Sequence, residues 1–234
     1  MDPRHHIFSD ERLAGHCVYC GGPPETRDHV PSRFLLDDPL PGNLPVVEAC
    51  VNCNQSFSLD EEYLGCLIDC AMVGTATPSG SQREKVLRAL ERNSSLAARL
   101  DGCKRMDGHG ALVWMPEEER VHRVALKLAR GHAAFELSEP QLHEPLSVQA
   151  RPLRVLSQEQ RTVFENAGAG QAEVWPEIGS RSFLRACGAR PFENWQGPWI
   201  VVQPGRYRYA IDLADGLVVQ IVIGEYLACR VEWE

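Results

Sequence analysis

Apolar positions recur at helical spacing through the middle of the chain and gather into β-branched and aromatic runs in its last third. Val86, Leu87, Leu90, Leu96, Ala97 and Leu100 fall near a 3.6-residue period, with Ser81 available as a cap and Asp101-Gly102 as a stop. That spacing predicts one helix over residues 83–100. A second helix is predicted from Pro116, a good first-turn residue, to Leu137, halted by Pro140. From about residue 141 the pattern changes. Residues 199–203, 206–213, 217–223 and 226–233 are separated by Pro204-Gly205, Asp215-Gly216 and Gly224, which predicts an antiparallel meander. Its aromatic residues, Trp195, Trp199, Tyr207, Tyr209, Tyr226 and Trp233, are expected to fill a sheet core. A base-stacking platform or a dimer surface are the other uses of such residues.

The first 79 residues follow neither period and are rich in Cys, Pro and Asp, ending in the turn-forming run Thr77-Pro78-Ser79-Gly80-Ser81. We therefore expect an α+β protein of three parts: a compact N-terminal unit (1–79), a helical middle (80–140) and an antiparallel β-rich C-terminal region (141–234). Length permits one or two cores in 234 residues. No apolar run approaches the ~18 residues of a bilayer span, and the polar start lacks a secretory signal, so a cytoplasmic protein with no membrane partner is expected.

Nine cysteines in a chain expected to be cytoplasmic suggest metal binding before disulfides. Cys17-Val-Tyr-Cys20 and Cys50-Val-Asn-Cys53 are two C-x2-C pairs separated by 29 residues. Each pair can bring two thiolates to one tetrahedral ion, and the two together make a closed, structural zinc site. Gly21-Gly22 gives the first turn its backbone freedom. Cys66 and Cys70, four apart, are expected to pack in a core, and Cys103, Cys187 and Cys229 likewise.

Between the knuckles lie Arg27-Asp28-His29-Val30-Pro31 and Gly42-Asn43-Leu44, and Asn54 follows the second pair at once. Asp28 and Asn54 can offer hard oxygen ligands to Mg2+ or Mn2+, while His29, which titrates near neutrality, can take a proton from water. Asn43 would position a backbone carbonyl that holds one tautomer of that imidazole. Asp60, Glu61 and Glu62 are candidates for a further ligand, although acidic residues in a first helical turn are also explained by the dipole.

Cys17-x2-Cys20, Asp28-His29-Val30-Pro31, Asn43-Leu44 and Cys50-x2-Cys53-Asn54 together resemble the HNH endonucleases of the ββα-metal type, in the subgroup whose motif is bracketed by a four-cysteine zinc. The stretch from Asp28 to Leu44 is also similar to the HNH domain of the RNA-guided CRISPR effector. The resemblance covers about residues 14–64. It implies His29 as general base on a first strand, Asn43 in the connecting loop or second strand, and Asn54 as metal ligand on the following helix. The implied reaction is metal-dependent phosphodiester hydrolysis of DNA, with RNA as the other candidate substrate. A catalytically silent zinc module that binds nucleic acid or a protein partner is the alternative.

A net charge of −8 argues against nucleic acid wrapped over the whole surface. The charge is uneven: residues 1–64 hold four basic against eleven acidic residues, whereas 81–131 hold eleven basic against seven acidic. Within the second predicted helix Arg120, Arg123, Lys127 and Arg130 fall within about 80° of arc. That stripe is expected either to track a phosphate backbone or to form a solvated face.

Overall fold

The computed structural model describes residues 15–42, 44–78, 82–106, 108, 110, 112–166, 183, 195–213 and 216–234. The protein is α+β. Two short strands, β1 (Thr26–His29) and β2 (Val46–Ala49), pair antiparallel, with Asp28 opposite Val47 and His29 opposite Val46. Helix α1 (Val51–Ser56) follows at once, and α2 (Ser58–Val73) continues after a bend at Phe57. Next come α3 (Glu84–Arg92), α4 (Ser94–Asp101), the hairpin β3 (Lys104–Met106) and β4 (Leu112–Trp114), and the long helix α5 (Glu118–Leu137). The rest is β5 (Ser147–Pro152), α6 (Gln158–Glu165) and the strands β6 (Trp195–Gln196), β7 (Trp199–Gln203), β8 (Tyr207–Asp212), β9 (Val218–Ile223) and β10 (Leu227–Glu232). These strands form one antiparallel sheet in the order β5-β10-β9-β8-β7-β6.

The meander from β7 to β10 forms where the sequence pattern places it. The helix expected over 83–100 is instead two, because Asn93 leaves the helical path and its Oδ1 accepts the backbone N–H of Leu96 at 3.0 Å, capping α4. The periodicity alone did not indicate the β3–β4 hairpin, β5 or α6. A cue for α6 exists in Ser157-x-x-Gln160, which forms a reciprocal capping box. No helix among the described residues is long and apolar enough to cross a membrane.

One apolar core runs from Leu35 and Leu36 through Tyr63, Leu64 and Ile68 of α2, Val86 and Leu90 of α3, and Leu128 of α5 to Tyr207, Tyr209, Ile221 and Trp233. The three stretches of sequence therefore share a core. Trp199 packs on the other face of the sheet, with Phe164 of α6. A smaller cluster gathers Cys17, Val18, Tyr19, Val30, Val47 and Ala49 against Ala134 of α5.

A glycine on α5 lets the chain leaving β1 approach the helix closely. Gly131 faces Val30, and a Cβ there would lie 2.6 Å from Val30 Cγ2. Gly131→Ala is accordingly expected to lower stability by about 1–3 kcal/mol through overpacking, despite the better helix propensity of alanine. Urea denaturation measures this, and a more stable variant would show that the hairpin does not press on α5 at this point.

Candidate functional site

The four cysteines of the C-x2-C pairs converge. Cys17 and Cys20 lie in a turn before β1, where Gly21 adopts φ +74° and its N–H donates to the Cys17 carbonyl at 2.8 Å. Cys50 caps α1 and Cys53 sits in its first turn, so a single helix start delivers both sulfurs of the second pair. All four Sγ atoms lie within 4.8 Å of one another, and Cys20 and Cys50 are 3.8 Å apart. A tetrahedron with Zn–S bonds of ~2.3 Å has S···S edges of about 3.8 Å, so the spacing fits one ion. The Cys53 backbone N–H donates to Cys50 Sγ at 3.3 Å and draws that thiol below its usual range, whereas burial pushes the Cys53 thiol up. This four-cysteine site can bind a metal such as zinc. Among the described residues it is the cluster in which three or more His, Cys, Asp or Glu ligand atoms meet.

The cluster clamps the hairpin. The backbone N–H of Val18 donates to the Glu48 carbonyl at 3.0 Å, Glu25 N–H to the Ala49 carbonyl at 3.1 Å, and Val51 N–H to a Glu25 carboxylate oxygen at 3.2 Å. Tyr19 meets Phe57 edge to face with ring centres 5.6 Å apart.

Asp28 points inward from β1. Its Oδ2 accepts the Tyr19 hydroxyl at 2.8 Å and lies 2.6 Å from Lys127 Nζ. Lys127, on α5, is only 1% exposed and also donates to Glu61 Oε1 on α2. Burial drives the Glu61 carboxyl above its usual range, although Lys127 opposes the shift. Burial also raises the Tyr19 hydroxyl well above its usual value, with the Asp28 charge adding to the effect. The site therefore contains a buried Tyr–Asp–Lys–Glu chain that joins β1, α2 and α5.

Asn54 lies across β1. Its Nδ2 donates to Thr26 Oγ1 at 3.1 Å and to the Arg27 carbonyl at 3.4 Å. Thr26 and Asp28 share a strand face, so the Asn54 carboxamide and the Asp28 carboxylate belong to the same side of the hairpin. His29, half-buried, ends β1 and by strand alternation projects to the other face, beside the chain's exit into Val30. Asn43 lies outside the described residues.

Oδ2 of Asp28 and Nδ2 of Asn54 are engaged, which leaves one oxygen of each side chain, and Mg2+ commonly binds through one or two protein oxygens while keeping several waters. Asp60, Glu61 and Glu62 are turned to other uses. Asp60 holds Arg120 at 2.7 Å and Arg123 at 2.9 Å, Glu61 holds Lys127, and Glu62 accepts from Arg92 at 2.8 Å.

The expected basic stripe on α5 requires correction. Arg120 is paired with Asp60 and stacked 4.8 Å over the Tyr63 ring, Lys127 is interior, and Arg130 donates to the His143 carbonyl at 3.0 Å. Arg123 remains about half exposed while paired with Asp60. Arg120, Arg123 and Lys127 thus meet the acidic first turn of α2, where Asp60 and Glu61 supply the opposite charge. Sequence reading missed Tyr19 as a member of the site; it named Glu61 as a candidate ligand and Lys127 as part of the stripe, but not their pairing. The acidic run 60–62 and the basic stripe were both visible, but their pairing needed the packing of α2 on α5.

Cys66, Cys70, Cys103 and Cys229 are buried, as expected, and burial pushes the Cys229 thiol up to about 12. Cys187 lies outside the described residues.

Compared with protein-family models, with curated proteins and with solved structures, the chain matches none of them.

Proposed function

We propose that the N-terminal unit is a zinc-stapled HNH-type endonuclease that hydrolyses phosphodiester bonds of DNA. The reading rests on one observation: the start of α1, which supplies two thiolates, also lays Asn54 across the strand that carries Asp28 and His29. A strand–strand–helix unit with an acid, an imidazole and a carboxamide at those positions is what the resemblance to HNH endonucleases implies, and those groups suit general-base and metal-assisted hydrolysis. Zinc at Cys17, Cys20, Cys50 and Cys53 is structural, since four thiolates leave no open position for a substrate.

His29 is the general base that takes a proton from the attacking water. Asp28 and Asn54 would hold Mg2+ or Mn2+ through their remaining oxygens. When bound, such an ion stabilises the negative charge that grows on the phosphate and on the leaving oxygen. Tyr19 and Lys127 keep the Asp28 carboxylate in one orientation through its other oxygen.

The deciding measurement is plasmid nicking by the zinc-loaded protein with Mg2+, Mn2+ or EDTA, beside His29→Ala. Metal-dependent nicking is expected, with a loss on the order of 10²–10⁴-fold in the variant at unchanged zinc content. Equal rates in the two proteins would remove the mechanism.

A second reading draws on the Lys127–Asp28 pair: a resident ammonium on the carboxylate is also compatible with a silent zinc module that binds nucleic acid or a protein partner. Absence of nicking, with zinc retained and nucleic acid bound, would favour it.

A further inference from the structure

The cations expected to grip a substrate on α5 are engaged within the protein, so a phosphate contact has to come from elsewhere. Arg27 sits in β1 two residues before His29. Strand alternation sends Arg27 and His29 to the face opposite that of Thr26 and Asp28, and burial along the strand agrees: Arg27 is exposed and His29 half-buried, while Asp28 is interior. The exposed arginines Arg88, Arg92, Arg99 and Arg123 each hold a carboxylate, on Glu84, Glu62, Glu117 and Asp60 in turn. Arg27 holds none among the described residues. Glu48, directly across the hairpin, instead gives a carboxylate oxygen to the Gly15 N–H at 2.7 Å. Arg33, Arg151 and Arg161 are also exposed without such a partner among the described residues, but none of them lies on the strand of His29.

We infer that Arg27 is a phosphate-binding residue of the proposed nuclease: its guanidinium holds the backbone of a DNA strand against the face of β1 from which His29 acts. The inference rests on the nuclease reading and supplies the substrate contact that the α5 stripe does not. A general base must come within hydrogen-bond reach of the attacking water, which puts the scissile phosphate against the His29 side of the strand. Two strand rises, roughly 7 Å, separate the Cα atoms of Arg27 and His29, so groups rising side by side from them can meet the same phosphate or consecutive ones. A guanidinium suits this role because it stays charged and can give two parallel N–H bonds to phosphate oxygens. The backbone at this point is held independently of the side chain, since it is the Arg27 carbonyl that accepts Asn54 Nδ2. Exchanging the side chain therefore leaves that fastening in place.

The test is binding of a short fluorescein-labelled DNA duplex to the zinc-loaded full chain, read by fluorescence anisotropy over a series of salt concentrations. No Mg2+ or Mn2+ is added, so the measurement needs no activity. Arg27→Gln is expected to raise the dissociation constant about three- to tenfold at low salt and to reduce the slope of log K against log salt by about 0.9, the share of one phosphate contact. Arg27→Lys keeps the charge and should keep the slope. Arg161→Gln removes a like charge from α6, on the far face of the sheet, and should change neither quantity. Zinc content should be the same in all four proteins. If Arg27→Gln keeps the unmodified slope, or Arg161→Gln lowers it as much, the Arg27 guanidinium touches no phosphate and the inference falls while the nuclease reading, judged by nicking, stands. If the unmodified protein does not bind the duplex, the inference falls; if it also fails to nick plasmid, the nuclease reading falls with it.

Discussion

Cys53→Ala is expected to release the bound metal and unfold the β1–β2 hairpin together with α1, while the sheet and α5 stay folded. The physical reason is the poverty of other restraints there. The hairpin has two strands of four residues, and the apolar cluster behind it is small. A two-stranded hairpin of that size is marginal in water without further support. A structural zinc contributes on the order of 10 kcal/mol in small metal-folded units, which exceeds what this cluster supplies. The main core, by contrast, draws on α2, α3, α5 and the sheet and holds none of the four ligands. Elemental analysis reads the metal, and hydrogen exchange reads protection at residues 26–29 and 46–49. If Cys53→Ala keeps its metal and those amides stay protected, the staple is not what holds the unit. Chelation of the unmodified protein should reproduce the effect of the substitution, and should do so reversibly on adding zinc back.

Asp69→Ala should be the most destabilising substitution outside the cysteine cluster, at about 3–5 kcal/mol. Asp69 is buried on α2 and accepts Arg83 Nε at 2.9 Å, the Arg83 backbone N–H at 3.2 Å and an Arg206 guanidinium N–H at 2.9 Å. Arg83 immediately precedes α3 and Arg206 immediately precedes β8, so this carboxylate joins the middle of the chain to the sheet. Removing it leaves two guanidiniums, both largely buried, with Asp37 as their remaining acidic partner, 3.6 Å from Arg83 and 3.1 Å from Arg206. Asp37 is nearly half exposed, so water weakens its hold on them. Denaturant titration gives the magnitude. A loss below about 1 kcal/mol would mean that Asp37 and solvent take over both arginines.

These two results separate what burial holds from what metal holds, and they bear on the chemistry. The proposed nuclease site, on a unit fastened chiefly by thiolates, would depend on the metal to keep Asn54 against β1. The Tyr19–Asp28–Lys127–Glu61 chain is the second fastening, and it runs inward to the main body of the protein.

Local chemistry determined several features that the chain alone reveals. Spacing within each C-x2-C pair identifies the ligands, because two sulfurs three residues apart can reach one ion only through a tight turn or helix start, and both are found. The meander is legible because its turns are marked by Gly and Pro and its strands by β-branched and aromatic residues, each a short-range preference. Burial of Trp199, Tyr207, Tyr209 and Trp233 follows from the same runs. The tertiary structure alone decided the rest. Pairing of β5 with β10 joins residues about 80 positions apart and carries no local mark. The helix read over 83–100 broke at Asn93 because a side-chain cap outweighed a continuous apolar period. Lys127 looked like one cation in an exposed stripe. Only the packing of α5 against β1 and α2 turned it inward, because an ion pair between distant segments depends on distances in space that no spacing along the chain encodes.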